Sequence, residues 1–418
     1  MDLTITIFLL VYVAMALGHL PGFLLDRTAA ALVGAMLLIV LGRITPAAAW
    51  QAIDYRTIGL LFGLMVIASS FAVAGFYGWV AQAAGAARVG PQALLAILIA
   101  VAAGMSALLT KDVVAAAMTP VFAGICVARR LNPVPFLLGF CFAVNVGSSG
   151  TLIGSPQNMI TAETLGLSFT GFMAVAALPA LVGLPIIWLV LTVLYRRRWT
   201  LAVPKAGAGS APDAASDAAT APAALDPGET AKAAIVTAAV IVTFVATDWP
   251  HMLIALCGAS VLLISRRVDS ERLLGRIDGN LLILLFGLFI VNAAFVATDL
   301  PQRLITQLST AGFDLHNPMS MFIVMAVLSN IVGNNPAVML VSPFLKDAAN
   351  PDALGAAIVL GTNFSSNAVL FGSLAGIIVT EEGSRRGITI GFAEFAIAGV
   401  PTSLLCLLLA AGWIYYLN

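Results

Sequence analysis

Two short polar tips stand out in an otherwise apolar chain. The first reads Ser106-Ala107-Leu108-Leu109-Thr110-Lys111-Asp112 and runs on to Thr119-Pro120; the second reads Ser329-Asn330-Ile331-Val332-Gly333-Asn334-Asn335-Pro336. Adjacent opposite charges such as Lys111 and Asp112 are costly at membrane depth unless they face protein or a water-filled cavity. Asn and Gly favour non-helical backbone, and Pro is well tolerated where a helix restarts. Each tip would expose the unpaired amides of a helix N-terminus, whose positive dipole end suits an anion. Lys111 and Asp112 are also the only ionisable residues expected deep in the apolar layer, which makes them the candidate proton carriers.

Two further segments carry polar residues where a spanning helix should be apolar. They are Asn145-Val146-Gly147-Ser148-Ser149-Gly150-Thr151, running on to Gln157-Asn158, and Gly361-Thr362-Asn363-Phe364-Ser365-Ser366-Asn367, running on to Gly372-Ser373. Irregular backbone at membrane depth is tolerated only where it lines a cavity or is buried in protein. Interrupted spans at matching places in two halves point to a binding site.

The elements that must position these residues are helical and membrane-spanning. Hydrophobic residues make up 61% of the 418 positions and charged ones 10%, against roughly 25% charged in a soluble domain. Apolar runs of about 20 residues recur, as spanning helices require. The net charge of zero gives no footprint for nucleic acid. Cys126, Cys141, Cys257 and Cys406, like His19, His251 and His316, are too scattered for a disulfide framework or a metal site. The opening Met1-Asp2-Leu3 lacks a basic leader, so the first segment reads as an anchor.

The halves match one another in sequence. Ile53-Asp54 followed by Leu60 to Leu64 corresponds to Ile277-Asp278 followed by Leu284 to Leu288, at an offset of 224. Ser106 through Pro120 corresponds to Ser329 through Pro343, and Ser148-Ser149 with Gly154-Ser155 to Ser366-Asn367 with Gly372-Ser373. Between the halves, residues 196–231 have the Ala, Pro, Gly, Ser and Asp content of a flexible linker. The expected organisation is a first repeat over 1–195, with a hairpin at 92–128 and a broken helix at 134–165. A second repeat follows over 232–418, with a hairpin at 318–346 and a broken helix at 353–380. The remaining spans are expected at about 3–20, 28–41, 57–80, 172–195, 232–247, 251–265, 280–297 and 390–416.

Basic residues set the orientation. Arg196-Arg197-Arg198 places the linker in the cytoplasm, together with Arg27, Arg88, Arg129, Arg130, Lys205, Lys232, Arg266, Arg267, Arg272, Arg276, Arg385 and Arg386. Arg43, Arg56, Arg303 and Lys346 fall outside. This distribution holds only if 92–128 and 318–346 enter and leave on one side, as re-entrant hairpins. The fold expected is an all-α polytopic membrane protein of two inverted five-span repeats, with both termini periplasmic and the protein in a bacterial inner membrane.

Plainer readings stand beside these. Small residues in membrane helices serve close packing, Lys111 and Asp112 could simply neutralise each other, and Glu163, Asp299 and Glu394 near span ends read as interfacial.

SALLTKDVVAAAMTP (106–120), NVGSSGTLIGSPQNMI (145–160), SNIVGNNPAVMLVSP (329–343) and SSNAVLFGSLAGIIV (365–379) resemble the ion transporter superfamily of arsenite permeases, D-type sodium/proton antiporters, citrate transporters and divalent anion/sodium symporters. The stretch Glu381 to Gly387 with Phe392 to Phe395 is similar to the permease pattern. The resemblance implies a scaffold, a moving transport domain and a substrate and ion site at the tips and breaks. By that resemblance the tips contribute Thr110, Lys111, Asp112, Ser329, Asn330, Asn334 and Asn335. The breaks contribute Asn145, Ser148, Ser149, Gly150, Thr151 and Asn158, with Thr362, Asn363, Ser365, Ser366, Asn367 and Ser373. Sodium-coupled dicarboxylate members carry Ser-Asn-Thr at both tips, and neither tip here has it. Arsenite permeases tend to show Asn-Asp where this chain has Lys111-Asp112. An ammonium beside a cation site repels sodium or takes its place.

The resulting expectation is a secondary transporter, not an enzyme, moving a small inorganic or carboxylate anion by alternating access. It has no cofactor or metal; the coupling ion is H+, with Na+ second. A sodium/proton antiporter is the alternative, a channel stands further off, and a homodimer is left open.

Overall fold

The computed structural model describes residues 2–20, 22–200, 224–298, 300–310, 312, 314–345 and 348–417. Lys205, Asp299, Lys346 and residues 201–223 of the expected linker lie outside this set.

The first half comprises α1 (Leu3–Leu17), α2 (Arg27–Val40), α3 (Pro46–Ala52), α4 (Tyr55–Val73), α5 (Phe76–Gly85), α6 (Pro91–Leu108), α7 (Lys111–Ala128), α8 (Pro133–Ser148), α9 (Pro156–Leu165) and α10 (Phe169–Leu194). The second comprises α11 (Pro227–Ala246), α12 (His251–Leu263), α13 (Ser270–Leu274), α14 (Gly279–Val296), α15 (Leu300–Thr310), α16 (Pro318–Val332), α17 (Asn334–Val341), α18 (Pro351–Ser365), α19 (Leu374–Ser384) and α20 (Phe392–Leu417). No strand occurs among the described residues. A 3-10 turn, Leu152–Gly154, separates α8 from α9, and another, Leu370–Gly372, separates α18 from α19.

Local sequence sets these boundaries. Asp2, Asp26, Asp54, Asn132, Asp226, Asp278 and Asn317 each cap the helix that follows by accepting a backbone N–H. Proline opens α6, α8, α9, α11, α16 and α18, where its missing N–H costs nothing. The span expected over 57–80 ends earlier, at Val73. Gly75 takes a left-handed φ of 74°, which stops α4 and starts α5 in a new direction. Helix α11 begins at Pro227, inside the stretch read as linker. Residues on the other flank of that stretch are tied down too, because the Asn132 N–H donates to the Trp199 carbonyl at 2.9 Å.

Seven described helices are long and apolar enough to cross a membrane: α4, α6, α7, α10, α11, α14 and α20. Helices α1, α2, α8, α12 and α16 are apolar but shorter. The arms α6 and α7, expected as a hairpin, have 18 residues each and so are not short by length. Their tip is nonetheless inside the protein. Thr110 and Lys111 are 3% and 2% exposed, and Thr151 at the α8–α9 break donates to the Ala107 carbonyl.

Helices packed across the two halves form one block. Helix α4 packs on α12 and α14 on α2. A Cβ at Gly63 would stand 2.7 Å from the Ala255 backbone, and one at Gly287 would stand 2.7 Å from Ala31. These two contacts sit at corresponding positions, so the same glycine-mediated approach is used twice. A second block has α8 and α18 at its centre, each packed against one hairpin arm, α6 and α16 respectively, and both against α10.

Candidate functional site

The two breaks meet inside this second block and hold each other by side-chain amides. Asn145 Nδ2 donates to Asn367 Oδ1 (2.9 Å) and Ser373 Oγ (3.0 Å). Asn363 Nδ2 donates to Asn158 Oδ1 (3.1 Å), and Asn158 Nδ2 donates to the Ser148 and Thr151 carbonyls, both at 2.8 Å. All four asparagines are 0% exposed. The 3-10 turns frees backbone carbonyls that a continuous helix would use, and Asn158 satisfies two of them.

Lys111 reaches this network. Its Nζ donates to Asn363 Oδ1 at 3.1 Å, and Gln157 Nε2 donates to the same oxygen at 2.8 Å. No ion pair joins Lys111 to Asp112 among the described residues. The neutralising pair weighed from sequence is therefore not what the geometry shows. Asp112 Oδ1 is buried and accepts no hydrogen bond from the protein, and the same holds for Asn335 Oδ1.

A cavity of about 280 Å³ lies over these groups, lined by Lys111, Asp112, Gln157, Asn334, Asn335 and Ser373 from the second block and by Asp26, Arg27 and Asp278 from the first. It adjoins a cavity of about 320 Å³ that shares Asp112 and Asp278 and adds Thr110 and Arg276. That cavity in turn meets one of about 810 Å³, which shares Arg276 and reaches Gln82 and Arg386. Ala116 and Ala117 line both of the outer two, so one face of α7 forms a wall leading to Asp112.

The remaining expected site residues are close by but turned away. Ser148, Ser149, Thr362 and Ser365 donate to carbonyls of their own helices. Ser329 and Ser365 share a hydroxyl contact of 3.1 Å, and Ser366 Oγ accepts from Asn334 Nδ2 at 2.9 Å. Asn330 Nδ2 donates to the Ala326 carbonyl, and Gly150 backs onto Ala180. These positions hold the breaks in shape, whereas Lys111, Asp112, Asn334, Asn335 and Ser373 face the cavity. An expectation to be corrected is that Lys111 and Asp112 are alone as ionisable groups. Asp26, Arg27, Asp278 and Arg276 join them because helix ends of the first block border the cavity. Asp278 was visible in the sequence as a repeat marker, and Gln157 as part of a break motif. Nothing in the sequence placed Arg27 there.

Comparison with known proteins agrees with this architecture. Residues 10–357 match the family described as Citrate transporter. An uncharacterised transporter of Mycobacterium tuberculosis is 30% identical, covering 98% of this chain and 97% of its own. The silicon efflux transporter LSI3 of rice is 35% identical over 42% of this chain and 36% of its own. Among solved structures, the YdaH transporter of Alcanivorax borkumensis superposes with a TM-score of 0.57 at 15% identity, over 99% of this chain and 96% of that one. That likeness concerns the fold. With a family match across most of its length, this membrane protein belongs to the citrate transporter family.

Proposed function

We propose that the protein is a proton-coupled secondary transporter that moves a small anion or oxyanion by alternating access, with Lys111 and Asp112 at its centre. The observation that carries this reading is the tip of α7. A buried ammonium fixed to Asn363 sits beside a carboxylate whose Oδ1 has no protein partner, and both border one cavity. The ammonium supplies positive charge for an anion, together with the Asn334 and Asn335 amides. It also occupies the place where a sodium ion would need oxygen ligands and no neighbouring cation. Asp112 is left to load and release the proton.

The two blocks have the roles of a fixed scaffold (α1–α4 and α11–α14) and a moving domain (α6–α10 and α16–α20). In this reading the repeats are inverted and the site lies near the midplane, as in other transporters built that way. By the positive-inside distribution, the described conformation opens its cavities toward the cytoplasm, on the side of Arg276 and Arg386. In this reading the membrane is a bacterial inner membrane, and the termini are periplasmic.

A second reading has an observation of its own. Asp26, Asp112 and Asp278 outnumber Arg27 and Lys111 around the inner cavity, a balance that suits a sodium/proton antiporter. Proteoliposomes with a trapped pH dye separate the two, given arsenite, sulfate, phosphate, citrate, succinate and sodium in turn. Proton movement evoked by one anion and lost in Asp112→Asn supports the permease. Movement evoked by sodium alone, and kept in Lys111→Asn, supports the antiporter.

A further inference from the structure

The repeat correspondence also pairs Arg27, which lines the inner cavity, and three residues that line none of the cavities described above, Glu163, His251 and Glu381. At the offset of 224, Arg27 at the start of α2 corresponds to His251 at the start of α12. At the offset of the breaks, Glu163 in α9 corresponds to Glu381 in α19. One of the resulting pairs is closed. His251 Nδ1 lies 3.1 Å from Glu163 Oε1, with side chains 17% and 16% exposed, and Phe244 stands edge-on to the imidazole at 5.0 Å. On that side α9 also packs against α4.

The counterpart pair is apart. Arg27 lines the inner cavity, and its Nε is buried without a hydrogen-bond partner. Glu381 is exposed and joins no ion pair among the described residues, while its neighbour Glu382 takes both Arg385 (2.7 Å) and Arg386 (2.9 Å). Leu374 of α19 and Leu281 of α14 both line the inner cavity, whereas their counterparts' helices α9 and α4 are packed together.

We infer that Glu163–His251 and Glu381–Arg27 are two matched latches of which one closes as the other opens, and that these four residues position the site for access from one side at a time. The mechanical reason lies in the block structure. Helices α8, α9 and α18 are tied into one unit by the Asn145–Asn367 and Asn363–Asn158 bonds, and α19 joins it at its N-cap, where Ser373 accepts from Asn145. Helices α2 and α12 belong to the other unit through the Gly287 and Gly63 contacts. A rigid displacement that brings α19 to Arg27 must draw α9 away from His251. Each contact then stabilises one end state only, as a two-state element requires. On the closed side Phe244 stands edge-on to His251 and the pair is largely buried, which strengthens the contact.

The inference rests on the alternating-access reading but on no particular solute. The test uses the full chain in membranes with the exposed Cys257 replaced by Ser. Cysteine pairs are placed at Glu163 with His251 and at Arg27 with Glu381, each with a reporter cysteine at Ala116. A short bis-methanethiosulfonate cross-links the pairs, each cysteine displacing a methanesulfinate, and a charged maleimide labels the reporter. The expected results are that both pairs cross-link, that the 163–251 link leaves the reporter labelled at the uncross-linked rate, and that the 27–381 link slows labelling at least tenfold. Failure of 27–381 to cross-link where 163–251 does, or unchanged labelling once it has, overturns the inference. Glu163→Gln, a conservative change, is expected to slow labelling at Ala116; an unaltered rate also counts against it. No transported solute is needed, so a wrong substrate class leaves these results readable.

Discussion

The two tips are built at corresponding positions yet differ in charge and in the partners they hold. At the second tip, Asn334 bonds Ser366 of its own half at 2.9 Å, and the tip is held to the first block by Tyr12. The Tyr12 hydroxyl donates to Asn292 Oδ1 at 2.9 Å and lies 3.4 Å from the Pro336 carbonyl. At the first tip, Lys111 takes the place of Asn334 and reaches into the other half, to Asn363. The counterparts of Tyr12 and Asn292 are Val236 and Ala68, which can form no such anchor. A duplicated scaffold thus carries a neutral, anchored tip and a charged tip without that tether. The difference teaches that repeat symmetry governs the frame, while single substitutions decide the chemistry.

The largest expected effect comes from removing the charge that distinguishes the first tip. Asp112→Asn should reduce solute-evoked proton movement in proteoliposomes to the level of empty vesicles, with the protein still folded by gel filtration. Lys111→Asn should come next, because it gives the first tip the second tip's side chain. Proton-coupled anion flux should fall and sodium should begin to evoke a response. In Lys111→Met the lost charged hydrogen bond to Asn363 should lower stability by about 1.5–3 kcal/mol, read from thermal unfolding in detergent.

Two substitutions test whether the frame is as symmetric as the chemistry is not. Gly63→Val and Gly287→Val each force a side chain into a 2.7 Å backbone approach. Both should destabilise by a similar amount, about 1–3 kcal/mol. A cost at one site only would break the comparison. The smallest effect should be Tyr12→Phe. It removes one hydroxyl contact at the second tip, worth about 0.6 kcal/mol on the scale of polar contacts in membrane proteins, and should leave the coupling ion unchanged.

Most of the frame was legible because it rests on local signals. Prolines and capping side chains mark helix starts, and apolar length marks spans. The breaks at Gly154-Ser155 and Gly372-Ser373 declared themselves by small and polar residues where apolar ones belong. Gly75 was harder to read, since a single glycine in an apolar run equally well packs inside a helix. The site was legible in part. Lys111, Asp112, Asn334 and Asn335 were marked by charge or amide at a tip, and they do face the cavity. Ser148, Ser149 and Ser365 look alike in sequence but spend their hydroxyls on their own helices, a choice fixed by rotamer and hidden from composition. Arg27 and Arg276 escaped notice because helix-end arginines ordinarily signal orientation, and only the packing of α2 and α14 brings them to the cavity.

The most direct test of the central claim, that the charged first tip replaces a sodium site with proton coupling, is solute uptake under two opposed conditions. The solute is the one that evokes proton movement in the dye experiment. Uptake is measured with sodium replaced by a large organic cation while a pH gradient is held, and again with sodium present while the gradient is collapsed. The account predicts unchanged uptake in the first case and loss of concentrative uptake in the second. Uptake that vanishes without sodium and persists without a pH gradient would contradict it.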